Sequence, residues 1–403
     1  MHENMSILLI ALIVLVYGHI SKLITRFNIS GPIIFTSIGV LLSPFGFDLV
    51  ETNLDANLIT VIAELALVIV LFSDASGLQL KELRYEWGIP FRLLFIGLPL
   101  TIIFTTYVGH LFFHEEIFTY VLLMALILAP TDAALGKAVV TDTKVPQKIR
   151  SSINVESGLN DGIVYPIIIT VVAMILNHQE QANDNSWIGY VFTQIGVGAL
   201  AGSIVGFISA KLSTYSIKKS WMLSEYENLI PIALAVLAYY LAEYFGGNGF
   251  ISAFFAGLLV GNFNQDLKEH IENFAESEGD LLIMISFLVF GLTFIPATVD
   301  FWNLNTFIFS ILSLSIFRML PVAISLIGTK FDIATISFIG WFGPRGIASI
   351  LYVLIIIHEI SSIKGHEEVF SVITITILLS IFLHGISAQP LAKLYAKNQH
   401  NNT

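Results

Sequence analysis

Thirteen apolar stretches follow one another along this chain, with only short polar breaks between them. Read with a window of about 19 residues, they cover residues 5–22, 30–46, 57–77, 89–111, 117–140, 149–176, 187–212, 226–245, 248–263, 279–296, 301–327, 332–358 and 367–392. Hydrophobic residues make up 55% of the 403, charged residues only 12%, and the mean hydropathy is +0.81. Water cannot solvate such a balance, so the fold class is an all-α polytopic membrane protein with about 13 transmembrane helices. The N-terminal MHENMSILLIALIVLVYGHI has no basic leader and no small-residue cleavage site, and it is read as the first spanning helix.

Charge gives the orientation. Sixteen of the nineteen Lys and Arg fall on alternate connections and the C-terminal tail, from Lys22 and Arg26 through Lys81, Arg84, Lys137, Lys218 and Lys268 to Lys397. The opposite side has only Lys364, and Arg318 and Arg345 lie inside apolar segments. The positive-inside rule then puts the N-terminus outside and the C-terminus in the cytoplasm, which requires an odd number of helices. The net charge of −11 resides mostly in loops such as QDLKEHIENFAESEGD at 265–280, read as a solvated cytoplasmic face. No basic, aromatic-interleaved patch suggests nucleic acid. The chain contains no Cys and no HExxH-like histidine pair, which argues against thiol chemistry and structural zinc. It ends soon after the thirteenth segment, so gating and sensing are expected within the membrane part.

Two segments are expected to break at mid-membrane. The fifth reads IFTYVLLMALILAPTDAALGKAVV, with Pro130 near its centre, and the twelfth carries Gly343, Pro344 and Gly346 near its own. Proline removes a backbone donor and clashes with the preceding turn. Broken helices in corresponding places of two inverted halves point to a transporter's substrate site. The inverted repeats would be residues 5–176 and 226–392, joined by helix 187–212. At the breaks, Asp132 is placed to cap a new N-terminus, Thr131 offers a hydroxyl or a freed carbonyl, and Arg345 supplies the opposite charge.

The sixth segment carries NVESGLNDGIVYP at 154–166. Charge at bilayer depth is costly and is kept there mostly for a partner, an ion or a proton. Positions four apart share a helix face, so Ser157 pairs with Asp161, and Glu156 with Asn160 about 100° round the helix. The first pair offers hard oxygen ligands for a small cation. The second needs a cationic partner, either Arg318 or Arg345. Asp161 then remains a lone carboxylate able to take a proton or a cation.

The stretches PTDAALGKAVV at 130–140, NVESGLNDG at 154–162, FRMLPV at 317–322 and FGPRGIAS at 342–349 closely resemble the signatures of NhaP-type sodium/proton antiporters. That group lies within the monovalent cation:proton antiporter superfamily and is related to animal sodium/proton exchangers. The resemblance implies an NhaA-like antiporter fold, two inverted repeats with crossed discontinuous helices, exchanging Na+ or Li+ for H+ without a cofactor. Asp161 resembles the ion- and proton-binding aspartate, Ser157 and Thr131 its coordinating neighbours for Na+, and Asp132 the carboxylate that balances the helix ends. Glu156 and Arg318 resemble the family's structural ion pair, Asn160 the asparagine contacting that glutamate, and Arg345 the arginine of the crossing helix. Asparagine before the aspartate resembles the electroneutral branch.

The same resemblance implies a homodimer in a bacterial-type inner membrane, surrounded by lipid. Core helices at 89–176 and 301–392 would move against dimerisation helices at 5–77 and 187–296. One departure is that helix 3 offers Ser73 and Asp74 where such proteins often place an ion-binding glutamate, so Asp74 is a candidate substitute. Glu64 has no assigned role, and His19, His110 and His384 are candidate pH sensors whose more common fate is a satisfied or interfacial ring. A close alternative keeps the mechanism and changes the cation to K+. Two other classes are a passive channel, which lacks a TVGYG-like filter here, and an intramembrane hydrolase using Asp132 and Asp161, for which no GxGD-like stretch is present.

Overall fold

In hydrocarbon a backbone must satisfy its own hydrogen bonds, and helices do this within one segment. Among the described residues, each of the thirteen apolar segments contains helix. The computed structural model describes residues 2–26, 29–50, 56–78, 80, 88–132, 135, 139, 144–179, 186–227, 229–264, 267–268, 270–271, 279–360 and 363–402, and among these there is no strand. The helices are α1 (His2–Arg26), α2 (Gly31–Leu42), α3 (Ala56–Gly77), α4 (Gly88–Phe112), α5 (Phe118–Ile127), α6 (Gln147–Gln179) and α7 (Ser186–Lys218). They continue as α8 (Ile230–Tyr244), α9 (Gly249–Phe263), α10 (Asp280–Phe301), α11 (Leu304–Ser325), α12a (Ile333–Trp341), α12b (Ile347–Ile360) and α13 (Glu367–Asn402). Lys81, Arg84, Lys137 and most of the acidic stretch 265–280 lie outside the described residues. So does most of 133–140, of which Leu135 and Val139 are described and helical.

Among the described residues, six helices are long and apolar enough to cross a membrane by length and composition, including α4, α6, α7 and α13. Others are short: α2 has 12 residues, about 18 Å at the helical rise. Proline alone does not decide where helices stop. Pro166 and Pro390 sit inside the continuous α6 and α13, and Pro321 lies within the second part of α11. The interruption in α11 is instead at Ser315, at φ −111° and ψ −92°. Only the prolines at 130 and 344 coincide with full breaks, where residues 128–132 and 342–346 leave the helix. Single π turns relax α4 at Leu93–Gly97 and α10 at Phe290–Phe294.

Two packing systems position the site. In the first, α9 lies against α3, α7 and α8. Apolar helices in lipid gain little from hydrophobic contrast, so close backbone approach between small residues does that work. A side chain at Gly257 or Gly261 of α9 would run into the backbone of Phe72 or Ser76 on α3. In the second, α13 packs on α11 and α5. Its first turn is tied down at the ends: Asn303 Nδ2 donates to Glu368 at 2.9 Å, His366 Nδ1 meets Glu116 at 2.6 Å, and the His366 ring stacks on Tyr120 at 3.5 Å. Arg92 of α4 donates to the carbonyls of Ser325 and Ile327 at 3.2 and 2.8 Å, satisfying the C-terminus of α11. Between the two systems, α12b touches α3, α5, α6 and α10.

The α3–α9 contact sets a first prediction. Gly261→Ala places a methyl against the Ser76 carbonyl and is expected to cost about 1–3 kcal/mol. A lowered melting temperature in detergent, read by size-exclusion chromatography after heating, is the check; an unchanged one would mean that this contact is slack.

Candidate functional site

The two breaks meet. The Asp132 N–H donates to the Pro344 carbonyl at 2.8 Å, so the interrupted strands of α5 and α12 cross by a direct backbone hydrogen bond. Helix ends expose partial charges, and here each is answered by the other helix. Asp132 Oδ2 accepts the N–H of Ile347 at 2.6 Å, capping the start of α12b. Arg345 Nη1 donates to the carbonyls of Ala129 and Pro130 at 3.0 and 3.1 Å, beyond the C-terminus of α5. The caps are thus exchanged crosswise, whereas local reading placed Asp132 at the N-terminus of its own helix. Ser349 Oγ adds a bond to the Ile127 carbonyl at 2.7 Å. At Gly346 a Cβ would collide with the Asp132 carboxylate, so only glycine admits the cap there.

The α6 residues face this crossing. Glu156 and Arg318 form an ion pair at 2.6 Å with both side chains 2% exposed. This resolves the choice that spacing left open, with Arg318 and not Arg345 as the partner. Asn160 Nδ2 donates to Thr131 Oγ1 at 2.8 Å rather than meeting Glu156. Thr131 Oγ1 in turn lies 2.9 Å from Ser157 Oγ. With the Asn160 amide donating, the Thr131 proton is free for Ser157, whose own hydroxyl ends the chain. A Cβ at Gly343 would meet Arg318 Nε at 2.6 Å and the Thr131 methyl at 3.0 Å, so the α12 break passes between the ion pair and the hydroxyl chain.

Asp161 is 5% exposed, and its Oδ1 has no hydrogen-bond partner. The Tyr352 hydroxyl of α12b approaches its carboxylate without closing a bond of full geometry. Asp74, Asp132 and Asp161 interact electrostatically with one another, which brings the α3 carboxylate into the same neighbourhood. Glu64 instead borders a cavity farther along α6. His19 and His110 are exposed.

His384 is buried with both nitrogens engaged. Nε2 lies 3.0 Å from the Trp341 carbonyl that ends α12a, and Nδ1 lies 3.1 Å from Ser380 Oγ. Ser380 Oγ accepts the N–H of Arg345 at 2.6 Å, and Ser387 Oγ accepts Trp341 Nε1 at 3.0 Å. A neutral ring satisfies this set, with Ser380 donating to Nδ1 and Nε2–H to Trp341. One face of α13 therefore clips both sides of the α12 break. Sequence reasoning missed Ser380, Ser387, Ser349 and Tyr352. The signal for the first two was a polar stripe at i, i+4 and i+7 on an otherwise apolar helix.

Residues 8–394 match the family model described as sodium/hydrogen exchanger, transmembrane. The K(+)/H(+) antiporter NhaP of Alkalimonas amylolytica is 24% identical over 392 residues, covering 97% of this chain and 67% of that protein. The Na(+)/H(+) antiporter of Schizosaccharomyces pombe is 25% identical over 299 residues, 67% of this chain and 64% of that one. The fold matches the sodium proton antiporter MjNhaP1 from Methanocaldococcus jannaschii with a TM-score of 0.82 at 18% identity, covering 98% of this chain and 100% of that one.

The ion pair sets the prediction for this site. Removing one partner leaves a buried charge unpaired, so Glu156→Gln and Arg318→Ala are each expected to cost about 3–5 kcal/mol and to sharply reduce the folded yield. Asp161→Asn, whose carboxylate has one unpartnered oxygen, is expected to fold like the parent. Chromatographic monodispersity and melting temperature of the three variants check the contrast.

Proposed function

Because the chain belongs to the sodium/hydrogen exchanger, transmembrane family, we propose that it exchanges Na+ or Li+ for H+, the two ions competing for one carboxylate, Asp161. The protein is a membrane-embedded cation/proton antiporter, a transporter and not an enzyme. The observation that carries the assignment to Asp161 is an accounting of buried charge. Glu156 has Arg318, Asp132 has the Ile347 N–H, and Asp161 keeps one oxygen without a partner.

A bare carboxylate in a low-dielectric site is strongly disfavoured. A proton or a cation neutralises it, and binding of one excludes the other. Ser157 and Thr131 would supply neutral oxygens to a small cation beside Asp161, with Asn160 orienting Thr131. Asp74 would add negative potential from α3. Asp132 and Arg345 would hold the crossing that presents these groups. A single exchanging carboxylate, preceded by Asn160, supports one proton for one cation, hence electroneutral exchange.

Alternating access would carry a core of α4–α6 and α11–α13 against a dimerisation unit of α1–α3 and α7–α10, with residues 5–176 and 226–392 as the inverted repeats. The distribution of Lys and Arg supports an orientation with the N-terminus outside and the C-terminus cytoplasmic, in a membrane that by family resemblance is a bacterial inner membrane. K+ as the exchanged cation is the second reading, favoured by the name of the Alkalimonas relative.

The test is reconstitution in proteoliposomes with an imposed pH gradient, a lumenal pH dye, and additions of Na+, Li+ and then K+. The gradient is expected to collapse on cation addition, fall to the protein-free background in Asp161→Asn, and be insensitive to a potential clamp. Full exchange by Asp161→Asn would remove the assignment, and the cation that works best names the substrate.

A further inference from the structure

The face of α6 that carries Ser157 and Asp161 continues at helical spacing through Tyr165, Val172 and Leu176. Those three residues line a cavity of about 230 Å³. Tyr352 of α12b lines it as well, as do Glu64 of α3 and Glu243 of α8. The rings of Tyr352 and Tyr165 are 5.3 Å apart, and Tyr165 follows Asp161 by about one helical turn. The cavity and the exchange site thus share a helix face, and Tyr352 belongs to both.

Tyr352 is 0% exposed, and its hydroxyl reaches the Asp161 carboxylate. Among the described residues it has no further hydrogen-bond partner, and Asp161 keeps its Oδ1 without one. A phenolic hydroxyl both donates and accepts, so it can serve a bare carboxylate and a cation in turn without any change of charge. Packing is not what the hydroxyl supplies, since a phenylalanine ring would fill the same space.

We propose that the Tyr352 hydroxyl is a ligand of the exchanged cation, standing between the cavity and Asp161: it donates to the empty carboxylate and turns a lone pair to the monovalent cation that replaces the proton. The proposal rests on the exchange reading of Asp161.

Tyr352→Phe separates the hydroxyl from the ring. In proteoliposomes at one fixed pH, the apparent KM for Na+, Li+ or K+ is expected to rise about tenfold, as for loss of one hydrogen-bonding group to a charge. The maximal rate is expected to stay near that of the parent, a split that a structural role would not produce. The cation concentration giving half the thermal stabilisation in detergent should rise by the same factor, which reads binding without transport. Unchanged values in both measurements overturn the proposal, as does a variant whose cation-free melting temperature collapses, since the hydroxyl would then be structural. If the parent itself exchanges none of the three cations, the exchange reading fails first and separately.

Discussion

A helix that stops halfway across a bilayer leaves backbone donors and acceptors where no water can reach them, and two such helices here satisfy one another. The Asp132 N–H to Pro344 carbonyl bond joins the interrupted strands. The side chains then cross over, Asp132 to the start of α12b and Arg345 to the carbonyls after α5. Neither break is tolerable alone, because each supplies the caps that the other lacks. This explains why the prolines at 166, 321 and 390 leave helices running while those at 130 and 344 do not. Proline permits a break, but a reciprocal partner is needed to stabilise it.

Once the crossing exists, the buried charges fall into roles by what they can reach. Arg345 is committed to backbone carbonyls, so the remaining intramembrane arginine, Arg318, goes to Glu156. Asp132 is committed to a backbone N–H. Among the described residues, Asp161 faces a tyrosine hydroxyl and other carboxylates. An acid in that position is neutralised most readily from outside the protein, by a proton or a cation. The proposed exchange therefore follows from how few cations the membrane part carries.

The crossing is also tied to a neighbouring helix. One face of α13 provides the ties through Ser380, His384 and Ser387, which hold the two ends of the α12 break. The ends of α13 and α11 are fastened in turn by Glu116, His366, Asn303 and Arg92. Against this bonded group lies the α3–α9–α7 layer, where contact depends on glycine and close backbones.

Hydropathy, proline position and helical spacing determined a great deal by themselves: thirteen helices, the two that break, and the faces on which Ser157, Asp161, Glu156 and Asn160 lie. All of these are local properties, set by the solvent a segment needs and by the 3.6-residue period. The choice of partner was different. Thr131 over Glu156 for Asn160, the crosswise caps at Asp132 and Arg345, and the approach of Tyr352 to Asp161 were decided only by the tertiary structure, which also joins Glu156 to the Arg318 that the family resemblance implied and spacing left open. Each joins residues on different helices, up to more than two hundred positions apart in the case of Asp132 and Ile347. No periodicity links such positions; their meeting depends on how helices cross, which is settled by packing over the whole bundle.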